Sequence, residues 1–405
     1  MRGLAPPRLR AAQAGISLVE TLVALVLGLA MVSVAFNLYV SNRAVFRQID
    51  AMVGLQESAS VGVALLETNL RHAGGTLCRN GPPTTVLAKG ETKYPYSYHN
   101  PETPARYWEV PPVSNTDNIN GQMGWHAYES TRRDPIVDSL RLAGDSISIM
   151  SDNMGAVARV TGRATHTSSS GSGGFTGSYT FPVDNGTNFP VGTMAMACDY
   201  ARAVVFQVTE SAASSIKLHA GTGAPSVSPG NCAVTMRLSD STTVKGMTGD
   251  FNCSNGQSVA QTRAAMYTFG PGSMIGEHSF SHWYIGRKTG TTDGLSLFRK
   301  RMVYTSGAIR LGDAEEIVPD VVDMRITILR TVGGYPADNS YQTVQWLNAV
   351  TNRGTYRFLA AARIELTLRS QEKVGLAAQG KASAVTYTIP INVAIRARMP
   401  GVVRR

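Results

Sequence analysis

Gly15-Ile16-Ser17-Leu18-Val19-Glu20, followed by the uncharged run TLVALVLGLAMVSVAFNLYVSN over residues 21–42, decides how this chain is read. At about 1.5 Å of rise per helical residue, those 22 residues span the ~30 Å hydrocarbon core of a bilayer. Ahead of the run, residues 1–15 (MRGLAPPRLRAAQAG) carry Arg2, Arg8 and Arg10 and no acid. This basic flank puts residues 1–15 on the cytoplasmic side and everything past about residue 43 outside. A cleaved secretory signal has a shorter apolar core with small residues beyond it, whereas here the small cluster Ala11–Gly15 comes first. A plain anchor leaves Glu20 unexplained. A lone carboxylate within a membrane helix costs a few kcal/mol and marks a partner or a function.

The basic leader, Gly15, Glu20 and the long apolar run together resemble the class III leader of type IV prepilins, with Ile16 where that family usually has Phe. The resemblance implies cleavage by a prepilin peptidase between Gly15 and Ile16, methylation of the new N-terminus, and Glu20 as fifth residue of the mature chain. It also implies subunit assembly through Ile16 and Glu20. The ammonium created at Ile16 of one subunit meets Glu20 of a neighbour, which removes the cost of burying either charge alone. Such a pair specifies register more than it adds stability. Loss of the leader takes three arginines away and lowers the formal charge from +10 to +7.

Past residue 42 the pattern turns amphipathic. Ile49/Val53, Val61/Leu65 and Leu66/Leu70 are spaced by four, as one helix face requires. Gly74-Gly75 is a plausible stop. The spacing predicts a single helix over about 16–73: residues 16–42 form its membrane and filament-core part, and residues 43–75 an amphipathic part that packs on a globular domain. Gly28, Gly54 and Gly62 weaken it locally and read as points of close packing or bending.

Residues 76–405 form an extracytoplasmic, β-rich head. With 40 glycines, 19 prolines and only 16% charged residues, the composition excludes a helical bundle and favours strands joined by turns. Alternation marks strands at Ile147/Ile149, at Val204/Phe206/Val208, at Met324/Ile326/Ile328 and at Ile364/Leu366/Leu368. The longest run is Val385 to Ile395, and Pro390 within it points to an edge or a bulge. Residues 165–180 (THTSSSGSGGFTGSYT) read as a flexible loop or linker by composition. The aromatic group Tyr94, Tyr96, Tyr98, Tyr107, Trp108 and Trp125 reads as a small core rather than a binding surface.

The expected fold class is therefore α+β: a long N-terminal helix packed on an antiparallel sheet, the arrangement of type IV pilins, with large loop insertions in the head. Three further segments resemble PilW-like minor pilins. They are Asn69 to Cys78 at the helix end, Glu316 to Arg325 ahead of a core strand, and Trp346 through Arg363–Ser370, a late Trp followed by a strand ending in Arg-Ser. The resemblance covers roughly 10–80 and 310–397. Residues 80–310 match nothing nameable and read as an insertion.

Cys78, Cys198, Cys232 and Cys253 all fall on the extracytoplasmic side, where disulfides form, and four cysteines allow three pairings. Cys232–Cys253 is the local pairing, worth ~3 kcal/mol in the chain-entropy model, and Cys78–Cys198 would then tie the helix end to the head. No Cys-x-x-Cys is present, so a structural zinc site is disfavoured. His278 and His282 have chelating spacing on a helix, but their surroundings alternate as a strand, which separates the rings by ~13 Å. GLAAQGKA (375–382) lacks the Ser or Thr and the helix of a phosphate loop. NTDNING (115–121) lacks calcium-loop spacing. No cofactor or metal is expected and no catalytic constellation is visible.

The expected function is a non-catalytic minor pilin. It joins the major pilin and other minor pilins in a complex that initiates, and sits at the tip of, a type IV pilus, with a tip adhesin as a further partner. The protein resides in the inner membrane before assembly and on the cell-surface pilus afterwards. Two alternatives compete: the J-type pseudopilin of a type II secretion system, and a membrane-anchored adhesin that uses the leader only for attachment. DNA contact through Arg299-Lys300-Arg301 and Arg396, Arg398, Arg404 and Arg405 is the weaker reading, since dispersed arginines on a sheet are usually a solvated face.

Overall fold

The computed structural model describes residues 17–73, 77–78, 84–85, 125–131, 134, 136–171, 174–200, 203–221, 226–227, 230–231, 268–305, 308–332, 335–344, 359–374 and 383–394. The chain divides into two compact units, Met1–Gly54 with Glu372–Val385, and Leu55–Gln371 with Thr386–Arg405.

One helix, α1, runs Leu18–Arg71. The strands that follow are β1 (Thr84–Thr85), β2 (Trp125–Tyr128), β3 (Ala143–Arg159), β4 (Thr165–Gly171), β5 (Gly174–Pro182), β6 (Met194–Cys198), β7 (Ala203–Gln207), β8 (Glu210–Ala212) and β9 (Ser215–Gly221). Then come β10 (Met274–Arg287), β11 (Leu295–Thr305), β12 (Ala308–Leu311), β13 (Glu315–Pro319), β14 (Val321–Val332), β15 (Tyr335–Thr343), β16 (Leu359–Val374) and β17 (Ser383–Ala394). They form three sheets. The first has nine strands, ordered β1-β7-β6-β10-β11-β12, with β13 on β11 and with β3 carrying β2 on β10; the others are β15-β14-β16-β17 and β4-β5-β9-β8. All described pairings are antiparallel except β1 with β7. The layout is α+β, with one long N-terminal helix and antiparallel sheets.

The centre of the nine-stranded sheet, β6 and β7, is its most buried part. In β6 and β7 every side chain is buried: Ala195, Ala197, Val204 and Phe206 meet Phe181, Ile216 and Leu218 from the β4-β5-β9-β8 sheet, while Met194, Met196, Cys198 and Val205 meet Met150 and Phe280. β14 keeps the expected alternation, with Met324, Ile326 and Ile328 buried and registered on Leu366, Ile364 and Ala362 of β16. β17 lies at the edge of its sheet, the position that accommodates Pro390. Gly144 (φ 62°) lets β3 approach β14: a Cβ there would lie 2.5 Å from the Met324 amide nitrogen. Beside it, Asp145 accepts hydrogen bonds from the Ser130 and Ile326 amides, each at 2.9 Å.

Two expectations are corrected. Residues 165–180 are not a linker but lie in the β4–β5 hairpin, paired from Thr165↔Thr180 to Gly171↔Gly174. Tyr179 and Phe181 anchor it in the core, and the Tyr179 hydroxyl accepts the Phe269 amide at 3.0 Å. The second concerns the helix. Ile49, Val53, Val61 and Leu65 are exposed, whereas the expected pair Leu66/Leu70 is buried and belongs, with Leu55, Ala59 and Gly62, to the stripe that packs on the head. Small residues at Ala59 and Gly62 permit the closest approach to β13, where a Cβ on Gly62 would lie 2.0 Å from Val318 Cγ2.

Candidate functional site

The most unusual surface is the first half of α1. Its most apolar 18-residue window has a mean hydropathy of 2.3 and is entirely unburied. Leu18, Leu22, Leu25, Leu29, Val32 and Phe36 are all more than half exposed. A continuous apolar surface of this extent on a water-soluble face would be unstable, so it marks a membrane or protein interface. The helix is long and apolar enough to cross a bilayer.

Ser17 starts this helix. Its carbonyl accepts the Glu20 and Thr21 amides at 3.0 and 3.1 Å, and its Oγ accepts the Val19 amide at 3.3 Å. Ser17 and Glu20 therefore have the spacing of a capping box, and the Glu20 carboxylate lies in the first turn, where the helix dipole favours negative charge. The motif is present in the sequence as Ser-x-x-Glu but was read only for its intersubunit meaning. Gly15 and Ile16 lie outside the described residues.

At its other end α1 is tied to the head. Ala73 bridges Ser151 of β3, and Cys78 forms a disulfide with Cys198 of β6, the Cα atoms 5.7 Å apart. Beside the disulfide, Leu77 covers Gly276, where a Cβ would come 2.3 Å from its Cδ1. Cys232 and Cys253 lie outside the described residues. The helix-end and 316–325 segments thus meet α1 or β3, and the latter continues into β14, which pairs with the 363–370 strand. Between β13 and β14, Asp320 adopts φ 62°, its carbonyl accepts the Arg369 amide at 2.8 Å, and its carboxylate takes Lys288 Nζ at 3.0 Å.

The two histidines lie on β10, as a strand reading requires, and among the described residues no group of three or more His, Cys, Asp or Glu side chains is placed to hold a metal. His282 does something the sequence did not announce. Its Nε2 lies 3.0 Å from Asp134 Oδ2 and its Nδ1 2.9 Å from Ser148 Oγ, all fully buried or nearly so. Ser146 Oγ and the Ile136 amide also donate to Asp134, and Arg141 donates to Ser146 Oγ and to the Tyr128 carbonyl at 3.2 Å each. Burial by itself raises the Asp134 carboxyl. The His282 charge and these hydrogen bonds outweigh it and hold the group well below the usual carboxylate range. The trio has the residue types of a hydrolase triad, but Ser148 is only 2% exposed, so a substrate cannot reach it. What the arrangement does is pin the segment around Asp134 onto β3 and β10.

Of the basic group, Arg299 and Arg301 share Glu315; burial by itself raises this carboxyl, and the hydrogen bonds and charges of the two arginines together outweigh it and lower the group. Arg396, Arg398, Arg404 and Arg405, residues 115–121, 375–382 and Trp346, and the tyrosines of the aromatic group with Trp108 lie outside the described residues. Trp125 is a buried core residue. No known protein family, no curated protein and no solved structure matches this chain.

Proposed function

We propose that this chain is a PilW-like minor pilin: a non-catalytic subunit, inserted in the inner membrane by α1 and then built with the major pilin and other minor pilins into the initiating, tip-located complex of a type IV pilus. The observation that carries the reading is the division of one uninterrupted helix. From Leu18 to Phe46 the large apolar side chains are mostly exposed, while Leu55, Leu66 and Leu70 are buried in an antiparallel β head. A subunit that leaves the membrane for a filament needs such a helix, because the same apolar surface serves lipid first and neighbouring helices later. The leader pattern ending in Gly15 and the acid at Glu20 supply the processing and register elements of the same reading.

The test is N-terminal sequencing of the membrane-extracted protein. The proposal expects a chain beginning at Ile16, a Gly15→Leu variant that keeps residues 1–15, and a Glu20→Ala variant that is cleaved normally but absent from sheared filaments. A mature protein that still begins at Met1 overturns it.

A further inference from the structure

A cleft of about 290 Å³ opens in the head beside the last turns of α1, between Thr68, Asn69 and His72 on the helix and β3, β10 and β11 on the sheet. One wall is cationic and already rigid. Arg299 is stacked over Trp283, its Cζ 5.4 Å from the ring centre, and donates through Nε and Nη2 to Glu315 Oε2 at 3.2 and 2.7 Å. Arg301 donates through the same two nitrogens to Glu315 Oε1 at 3.1 and 2.6 Å. One carboxylate thus serves two guanidiniums, so the Arg299–Glu315–Arg301 group carries one uncompensated positive charge within itself, with the Glu277 carboxylate elsewhere in the lining, and each guanidinium keeps its Nη1 donors.

The remaining described walls are hydroxyl- and amide-rich. Ser151, Ser279 and Ser281 line the sheet side, and Asn69 and His72 face them from the helix. Phe280 and Met302 add apolar surface, against which a ring face can lie, and the Glu277 carboxylate also lines the cleft. Ser279 Oγ donates to the Ser151 carbonyl at 2.9 Å and meets Ser151 Oγ at 3.2 Å, and Ser281 Oγ accepts Trp283 Nε1 at 3.1 Å. Ser281 thus keeps its donor, while Ser151 and Ser279 offer acceptor lone pairs to ring hydroxyls, and paired guanidiniums suit a carboxylate. The volume lies at the lower end for small-ligand pockets, roughly 300 Å³, which admits one pyranose ring and not a nucleotide.

We propose that this cleft binds one residue of an acidic sugar, a uronate, with its carboxylate on Arg299 and Arg301 and its hydroxyls on the serines and Asn69. The site stands on the head alone and does not depend on the pilin reading.

The test is titration calorimetry on the full-length protein in detergent, using sodium glucuronate, glucose, sodium acetate and inorganic phosphate as probes. Glucuronate binds more tightly than the other three, and Arg301→Gln weakens it about tenfold or more, the usual worth of a charged hydrogen bond. Arg301 is half exposed, so this variant keeps its fold, which an unchanged melting temperature verifies. Absence of glucuronate binding, acetate or phosphate binding as tightly as glucuronate, or glucuronate affinity unaffected by Arg301→Gln overturns the assignment.

Discussion

Gly62→Ala is the sharpest test of how α1 meets the head. The new Cβ would lie 2.0 Å from Val318 Cγ2 and 3.5 Å from Ile317 Cγ2. Carbon atoms in contact sit ~3.5–4.0 Å apart, so helix and strand must separate by roughly 1.5 Å. Val318 is fully buried and its branched side chain has no space to rotate into. Overpacking of this kind costs ~1–3 kcal/mol, and the severity of the overlap puts the cost near the upper end. Against it stands ~1 kcal/mol of helix propensity gained by replacing Gly with Ala. The net expectation is a loss of about 2 kcal/mol, measured by urea unfolding of the full chain in detergent, with the fluorescence of buried Trp125 and Trp283 as reporter. Val318→Ala alone loses about 1–3 kcal/mol through the methyls it removes. It also makes room, so the double variant is no less stable than Val318→Ala. Gly54→Ala, where a Cβ meets nothing within 4 Å, is the control and is neutral to ~1 kcal/mol stabilising. If Gly62→Ala stabilises the protein as the control does, or if the double variant is merely additive, the close contact is wrong.

Two further outcomes are expected. Replacing Cys78 and Cys198 by Ser, or reducing them, lowers stability by about 2–5 kcal/mol, because their bridge spans a sequence separation of 120 residues; urea midpoints with and without reductant measure this. Asp134→Asn leaves His282 without its carboxylate and costs about 3–5 kcal/mol at neutral pH. The folded carboxyl of Asp134 is depressed relative to ~3.9 in the unfolded chain, so its contribution is complete above that value and is lost as pH falls below it. The wild type therefore loses stability between about pH 4 and pH 2 more steeply than Asp134→Asn, and parallel acid profiles would refute a buried, ionised Asp134.

Sequence pattern alone was enough wherever one side of an element faces water or lipid. The α1 span, the alternation in β14 and β16, and the edge position of β17 were legible for that reason. The pattern went silent where both sides are covered. β6, MAMAC, has no polar alternation because sheets and side chains enclose it from both directions, and five apolar residues in a row are equally compatible with a helix. The β4–β5 hairpin was misread for the opposite reason. Serine, threonine and glycine are the composition of a linker, and only Tyr179 and Phe181 seated against Phe206 and Phe269 hold those residues in a ladder. Of the buried stripe of α1, spacing by four picks out Leu66 and Leu70 and the glycine reading picks out Gly62, whereas Ile49/Val53 and Val61/Leu65 share that spacing and are exposed, so periodicity alone does not say which pairs face the head.

Asp134, Ser148 and His282 are separated by up to 148 positions, and no local rule connects them. The residues of the cleft likewise come from four elements, α1, β3, β10 and β11. The identity of a long lipid-compatible helix with an acid in its first turn is a property of consecutive residues, since hydrophobic length and capping are local, and the sequence by itself determined it. Which helix face is buried, which cysteine Cys78 finds, and what surrounds Arg299 depend on distant strands arriving at one place, and only the tertiary structure decided them.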